Sequence, residues 1–205
     1  VATQMQQRGG QALAAACDVT PEADLQRIVD LAVQQFGQLS LVVSNAGGGG
    51  PKPFEMPMSD FKRAYDLNVF SLFRLAQLVA PHLAQAKDSA ILAISSMAAE
   101  NKNIHMASYG SSKAAASHLV RNIAFDLGEK NIRVNGIAPG ATRTEALESV
   151  LNEHIEQKML AHTPIRRLGT PQDMANAALF LCSPAASWIS GQILTVSGGG
   201  VQELD

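Results

Sequence analysis

The stretch AILAISSMAAENKNIHMASYGSSKAAASHLVRNIAFDLGEKNIRVNGI, residues 90–137, decides the fold. Ala90 to Ser95 is a short apolar run of strand length that stops at a Ser-Ser pair. Ala107 to Gly128 has the length of a long helix and is rich in Ala and Ser, the composition of a closely packed face. Ile132 to Ile137 is apolar again. Strand, crossover helix and second strand form a unit whose strands run parallel, which places the chain in the α/β class.

The same alternation continues on both sides. Upstream, Val1 to Arg8 is predicted as the last turns of a helix ending at Gly9-Gly10, and Ala12 to Cys17 as a strand. Thr20-Pro21-Glu22 then opens a helix, with an N-cap and a first-turn proline, that runs to Phe36 and stops at Gly37. Leu39 to Val43 is predicted as a buried strand, followed by Gly47 to Gly50, where a backbone without side chains can approach something closely. Ser59 is predicted to cap a long helix from Asp60 to about Ala84. Downstream come a variable helical segment from Thr144 to Ala161, a last helix from Pro171 to Cys182 and a final strand from Gln192 to Val196. The sequence has no internal repeat or linker, and a single domain is expected over 1–205.

Composition narrows the function. The 205 residues are 46% hydrophobic and 17% charged, enough for one substantial core. A net charge of -2, with no charge blocks, offers no field for nucleic acid or an anionic membrane. No apolar run approaches the roughly 20 residues that span a bilayer. Cys17 and Cys182 lie far apart without metal-ligand spacing, so free thiols in a reducing compartment, the cytoplasm, are expected. His82, His118, His154 and His162 show no ligand spacing either, and no metal is expected.

The chemistry centres on Tyr109 and Lys113. Four residues apart on a predicted helix, they share one face. Such a pair alone is weak, since many are solvated surface pairs. Ser96 strengthens it: it stands at the carboxyl end of a strand, about a dozen residues before Tyr109, and ligands of open α/β sheets sit outside the carboxyl ends of strands. Alcohol oxidation must remove a hydroxyl proton as a hydride leaves the same carbon. A free phenol ionises near pH 10, so a tyrosine base working at neutral pH needs its phenolate favoured by roughly 3 to 4 kcal/mol. A lysine ammonium nearby acts in that direction, and a serine hydroxyl can donate to the developing charge on the substrate oxygen.

With their neighbours these residues resemble the short-chain dehydrogenase/reductase family. The resemblance covers essentially the whole chain: Asp18 after the first strand, Asn45-Ala46-Gly47 after the second, Asn68 in the long helix, Ser96, Tyr109, Lys113, and Pro139-Gly140 followed by Thr144. It implies a Rossmann-like, doubly wound parallel sheet and a nicotinamide cofactor. By the family pattern Asp18, Val19 and Asn45 to Gly47 hold the adenine and ribose side of NAD. Ile137, Pro139, Gly140 and Thr144 line the nicotinamide, and Tyr109 and Lys113 also touch the cofactor. Asn68 joins the catalytic group by seating a water in a proton relay with Lys113. Ser44 departs slightly, where the family often has a further Asn. The larger departure is at the front. The family's opening strand, Gly-rich pyrophosphate turn, helix and second strand do not occur in these residues, so the N-terminal βαβ portion is expected to be missing. A working protein with about 50 more residues upstream is predicted.

Within the family, residues 47–58 (GGGGPKPFEMPM) and 97–122 (MAAENKNIHMASYGSSKAAASHLVRN) resemble the bacterial enzymes that oxidise hydroxysteroids. So do HTPIRRLG, residues 162–169, and SGQILTVSGGGVQEL, residues 190–204. That resemblance implies a bile acid or steroid substrate, NAD as cofactor, and a cytoplasmic homotetramer joined through the two long helices. Substrate contacts are expected from Ser96, Gly49, Tyr109, Met97 and Asn101. Met97, Ile104, Met106 and the Thr144 to Leu160 segment could line a broad apolar pocket or serve equally as ordinary core. His105 could touch substrate, although a loop histidine is more commonly solvated. Two other readings stay open: reduction of another carbonyl, such as a 3-oxoacyl thioester or a sugar, and a non-catalytic truncated subunit.

Overall fold

The computed structural model describes residues 1–200. Four parallel strands, β1 (Leu41–Ser44), β2 (Ala90–Ile94), β3 (Arg133–Pro139) and β4 (Ile193–Val196), lie in sequence order across one sheet. Leu41 pairs with Ala90, Ala90 with Arg133, and Gly136 with Ile193. Strand side chains alternate between faces, and β2 shows how the layers divide. Ile91 and Ala93 pack into a core with Leu72, Val79 and Leu83 of α4 (Ser71–Leu83) and Val120 and Ile123 of α5 (Ala107–Leu127). Leu92 and Ile94 point the other way, into a core with Met174, Ala178 and Leu181 of α8 (Pro171–Cys182). Helices therefore cover both faces, and each βαβ unit packs its helix back onto the sheet.

Several elements differ from expectation. Ala12 to Cys17 forms no strand, because among the described residues no strand stands beside it to complete a ladder. For the same reason β1 is an edge strand: Leu41 and Val43 are exposed, against the buried strand that its apolar run predicted. The helix at α2 (Glu22–Phe36) begins without its Thr20 cap, since the Thr20 hydroxyl donates to Asp18 Oδ1 at 2.8 Å and Pro21 takes the N-cap position. The long helix expected from Asp60 starts earlier, as α3 (Met58–Tyr65) with Pro57 rather than Ser59 at its N-cap. It then widens into a π turn over Asp66–Phe70 before continuing as α4. The segment after Thr144 splits into α6 (Glu145–Glu148) and α7 (Glu153–Ala161), capped by the side chains of Thr144 and Asn152. Near the start lies α1 (Ala2–Gln7), followed by Gly9 in the left-handed conformation. Among the described residues no helix is long and apolar enough to cross a membrane.

Candidate active site

Three elements meet at the carboxyl end of the sheet: the end of β2, the start of α5 and the π turn. After Ile94 the backbone stays tied to β3, with Ser95 N donating to Ile137 O at 2.7 Å. The Ser95 hydroxyl bonds Lys113 O at 3.2 Å and Ser117 Oγ at 2.6 Å, fastening the strand end to α5. Ser96 follows in extended conformation and caps a short 3-10 turn, Met97–Ala99, by accepting from Ala98 N at 3.1 Å. Its own proton remains available to an acceptor in the crevice.

Tyr109 lies in the first turn of α5 and Lys113 one turn further on, with Lys113 Nζ 6.0 Å from the Tyr109 ring centroid. The ammonium donates to Ile94 O at 2.8 Å, and the residue is only 5% exposed. Burial away from water disfavours the charged form and pushes the lysine down to about 8. Asn68 sits in the π turn, and its side chain is fully engaged. Oδ1 accepts from Gly48 N at 3.0 Å, while Nδ2 donates to Gly48 O at 2.9 Å and to Ser112 Oγ at 3.1 Å. The glycine loop is thus hung on the π turn directly beside Lys113. A Cβ at Gly47 would stand 2.9 Å from Asn68 Oδ1 and 3.0 Å from Lys113 Nζ, so only glycine leaves that approach free. Ser96, Tyr109, Lys113 and Asn68, picked out from sequence, occupy one corner of the fold.

Comparison with known proteins bears on this arrangement. A family profile described as enoyl-(acyl carrier protein) reductase matches residues 1–200. The chain is 70% identical to the 7α-hydroxysteroid dehydrogenase of Escherichia coli K12, over 100% of this chain and 80% of that protein. A solved 7α-hydroxysteroid dehydrogenase, in complex with NADH and 7-oxo glycochenodeoxycholic acid, superposes with a TM-score of 0.95 at 70% identity, covering 99% of this chain and 80% of that one. A short-chain type dehydrogenase/reductase from Mycobacterium ulcerans superposes at 0.91 with 31% identity, covering 97% and 74%. The chain belongs to the short-chain dehydrogenase/reductase family.

In this short-chain dehydrogenase the remaining predicted residues fall into two groups. Val19, Asn45 and Ala46 come together with Cys17, Ile28 and Leu75 around a cleft of about 280 Å³. Asp18, next to it, accepts from Thr20 N at 2.9 Å. Pro139 ends β3, and Gly140 follows so tightly that a Cβ would come within 2.8 Å of Ser197 Cβ and 3.3 Å of Met97 Sδ. Ile137 is fully buried in the α8-side core and offers no side chain to a cleft, while the Thr144 hydroxyl accepts from Leu147 N in the α6 cap at 3.3 Å and keeps its own proton. Met97 is buried against Gly140.

A second cleft, of about 600 Å³, lies beside the start of α5, with Asn101, Ile104, His105 and Met106 on one wall and Phe54 and Lys52 on another. Tyr109, Ser96 and Lys113 do not line it. Tyr109 faces a smaller cavity of about 170 Å³ together with the glycine loop. The buried Asn101 Nδ2 and Asn103 Oδ1 have no protein partner, which leaves two polar atoms free at the wall of the larger cleft. Gly110 and Phe54 escaped the sequence reading. The signal for Gly110 was its place directly after Tyr109: a Cβ there would meet Ala98 O at 2.9 Å, so it lets the turn that carries Ser96 close on α5.

Proposed function

We propose that this chain, as one domain, transfers hydride between NAD and the 7α-hydroxyl of a bile acid or related steroid. The observation that carries the reading is 70% identity along its whole length to 7α-hydroxysteroid dehydrogenase, whose solved complex holds NADH and a 7-oxo bile acid. The residues present fit such a cofactor. Gly47 keeps the space against Lys113 clear, and Lys113 carries a buried charge whose protein hydrogen bond is to a single carbonyl, leaving donors for a sugar hydroxyl. Val19, Asn45 and Ala46, which share one cleft, would take the adenine side, and Pro139, Gly140 and Thr144 the nicotinamide side. When bound, NAD accepts the hydride, the step no protein side chain can perform.

The protein's own work is positioning and proton transfer. Ser96 donates to the substrate oxygen and holds it toward Tyr109. Tyr109 takes the hydroxyl proton as the carbon gives up its hydride; in reduction it returns that proton to the oxygen. Because the Asn68 side chain is already engaged with Gly48 and Ser112, a relay water there would be held by its main chain. Gly49, beside Tyr109 at the small cavity, and Asn101, in the neighbouring cleft, would complete the substrate side; Met97, buried against Gly140, lines neither.

Assembly follows from two apolar faces. Phe70 of the π turn, Phe73 of α4 and Phe125 of α5, the last 90% exposed, project on one side; Leu179, 71% exposed, Phe180 and Leu194 project from α8 and β4. Two separate faces, each joined to its own copy, generate a dihedral tetramer. Cys17 and Cys182 are unpaired, in keeping with a cytoplasmic location. Phe125→Glu is expected to halve the mass seen by light scattering, leaving the α8–β4 contact to form a dimer; an unchanged mass argues against the α4–α5 face.

Activity is tested in the full-length protein by NADH absorbance, with cholate beside deoxycholate, which lacks the 7-hydroxyl. Turnover of cholate alone is expected. Turnover of neither, with an active 3-oxoacyl thioester or sugar, would overturn the steroid reading.

A further inference from the structure

We propose that Gly49 is a positioning residue: by having no side chain, it sets where the Tyr109 ring rests. The inference builds on Tyr109 as the base, and it arises from how the glycine loop is held. On one side Gly48 is gripped through both backbone atoms by the Asn68 amide, at 3.0 and 2.9 Å. On the other, Lys52 N donates to His105 O at 2.7 Å and Lys52 Nζ pairs with Asp60 at 2.9 Å. Between these anchors Gly49 adopts φ +144, which L side chains rarely take. A Cβ there would lie 2.5 Å from Tyr109 Cδ2, 3.1 Å from Cγ and 3.2 Å from Cβ.

The contact is specific to this glycine. A Cβ at Gly48 would first meet Leu67 at 3.9 Å, and one at Gly50 would meet nothing within 4 Å. Carbon atoms attract best at about 3.5 to 4.0 Å, so the 2.5 Å approach is a collision that something must relieve. The loop is pinned on both sides. Helix α5 cannot retreat freely, because Gly110 is already packed against Ala98 O. The remaining freedom is rotation of the Tyr109 ring, which swings its hydroxyl away from Lys113 and from the oxygen held by Ser96.

The charged groups around the ring are Lys113 on its own helix and Lys52, Asp60 and Arg63 across the small cavity. A turned ring no longer presents its hydroxyl to the oxygen held by Ser96. Gly49→Ala in the full-length protein is therefore expected to lower kcat roughly 100-fold, the effect of a displacement near 1 Å. It should leave the steroid KM and NADH affinity, read by fluorescence, unchanged, so that the loss falls on kcat alone. Gly50→Ala is the control, with no effect expected. Should Gly49→Ala melt early, its loss in melting temperature is expected to shrink when Tyr109→Ala removes the ring. Unchanged kcat in Gly49→Ala, a loss that falls on KM instead, or a melting loss that Tyr109→Ala does not relieve, overturns the proposal. Tyr109→Phe is run alongside: full activity there removes the base assignment itself, whereas an inactive Tyr109→Phe beside an unaffected Gly49→Ala removes the role of Gly49 alone.

Discussion

Tyr109→Phe is expected to lower kcat by about 10³-fold while leaving NADH and bile acid binding nearly intact. The substitution deletes one oxygen and preserves the ring that packs against the glycine loop, so neither the fold nor the cradle at Gly47 should change. What disappears is the group proposed to take the proton, and positioned acid–base catalysis contributes typically 10²- to 10⁴-fold. Loss confined to kcat identifies an interaction made only in the transition state. A variant that retains kcat with a raised KM would assign Tyr109 to binding.

Lys113→Met is expected to act in opposite directions on activity and stability. For activity, kcat falls roughly 10²-fold or more, because the ammonium beside Tyr109 is lost. For stability the sign follows from burial. The folded state holds Lys113 at about 8 against an ordinary 10.5, with loss of hydration as the cause. Below pH 8 both states carry the proton and the folded state bears the full cost of a buried ammonium. Between pH 8 and 10.5 the folded state sheds the proton while the unfolded chain keeps it, so stability rises with pH across that window. The burial cost is about 3 kcal/mol, and the lost hydrogen bond to Ile94 O offsets about 1 kcal/mol of the gain. Lys113→Met should then melt roughly 5 °C higher at pH 7, with the advantage fading toward pH 10. A melting temperature lowered at pH 7 would mean that the buried charge stabilises the fold. Activity and stability trade against each other at this residue, as they do where a site keeps a costly charge for chemistry.

Residues 90–137 were legible in sequence because their strand, helix and strand are local and their apolar runs match the elements that form. Pro171 to Cys182 was read to the residue, since Thr170, Pro171 and Asp173 form a complete capping box. Failures occurred where the outcome depended on distant partners. An apolar run such as Ala12 to Cys17 becomes a strand only beside another strand, and Leu41 to Ser44 is buried only if both its edges and faces are covered. The π turn at Asp66–Phe70 leaves no mark in hydrophobic periodicity, yet it carries Asn68 to the glycine loop. Types and spacing revealed Ser96, Tyr109 and Lys113. The glycine run 47–50 was legible as backbone open to close approach, but the groups opposite Gly47, Gly49 and Gly110 did not show, because what a missing side chain makes room for depends on distant parts of the chain.

The most direct test uses cholate carrying deuterium at C7, incubated with NAD and the full-length protein, with both products read by mass spectrometry. Deuterium recovered in the reduced nicotinamide, together with a 7-oxo bile acid lacking it, is the predicted result. Reduced nicotinamide without label, or label retained in the steroid, would contradict hydride transfer from the 7α-hydroxyl carbon and with it the account of this site.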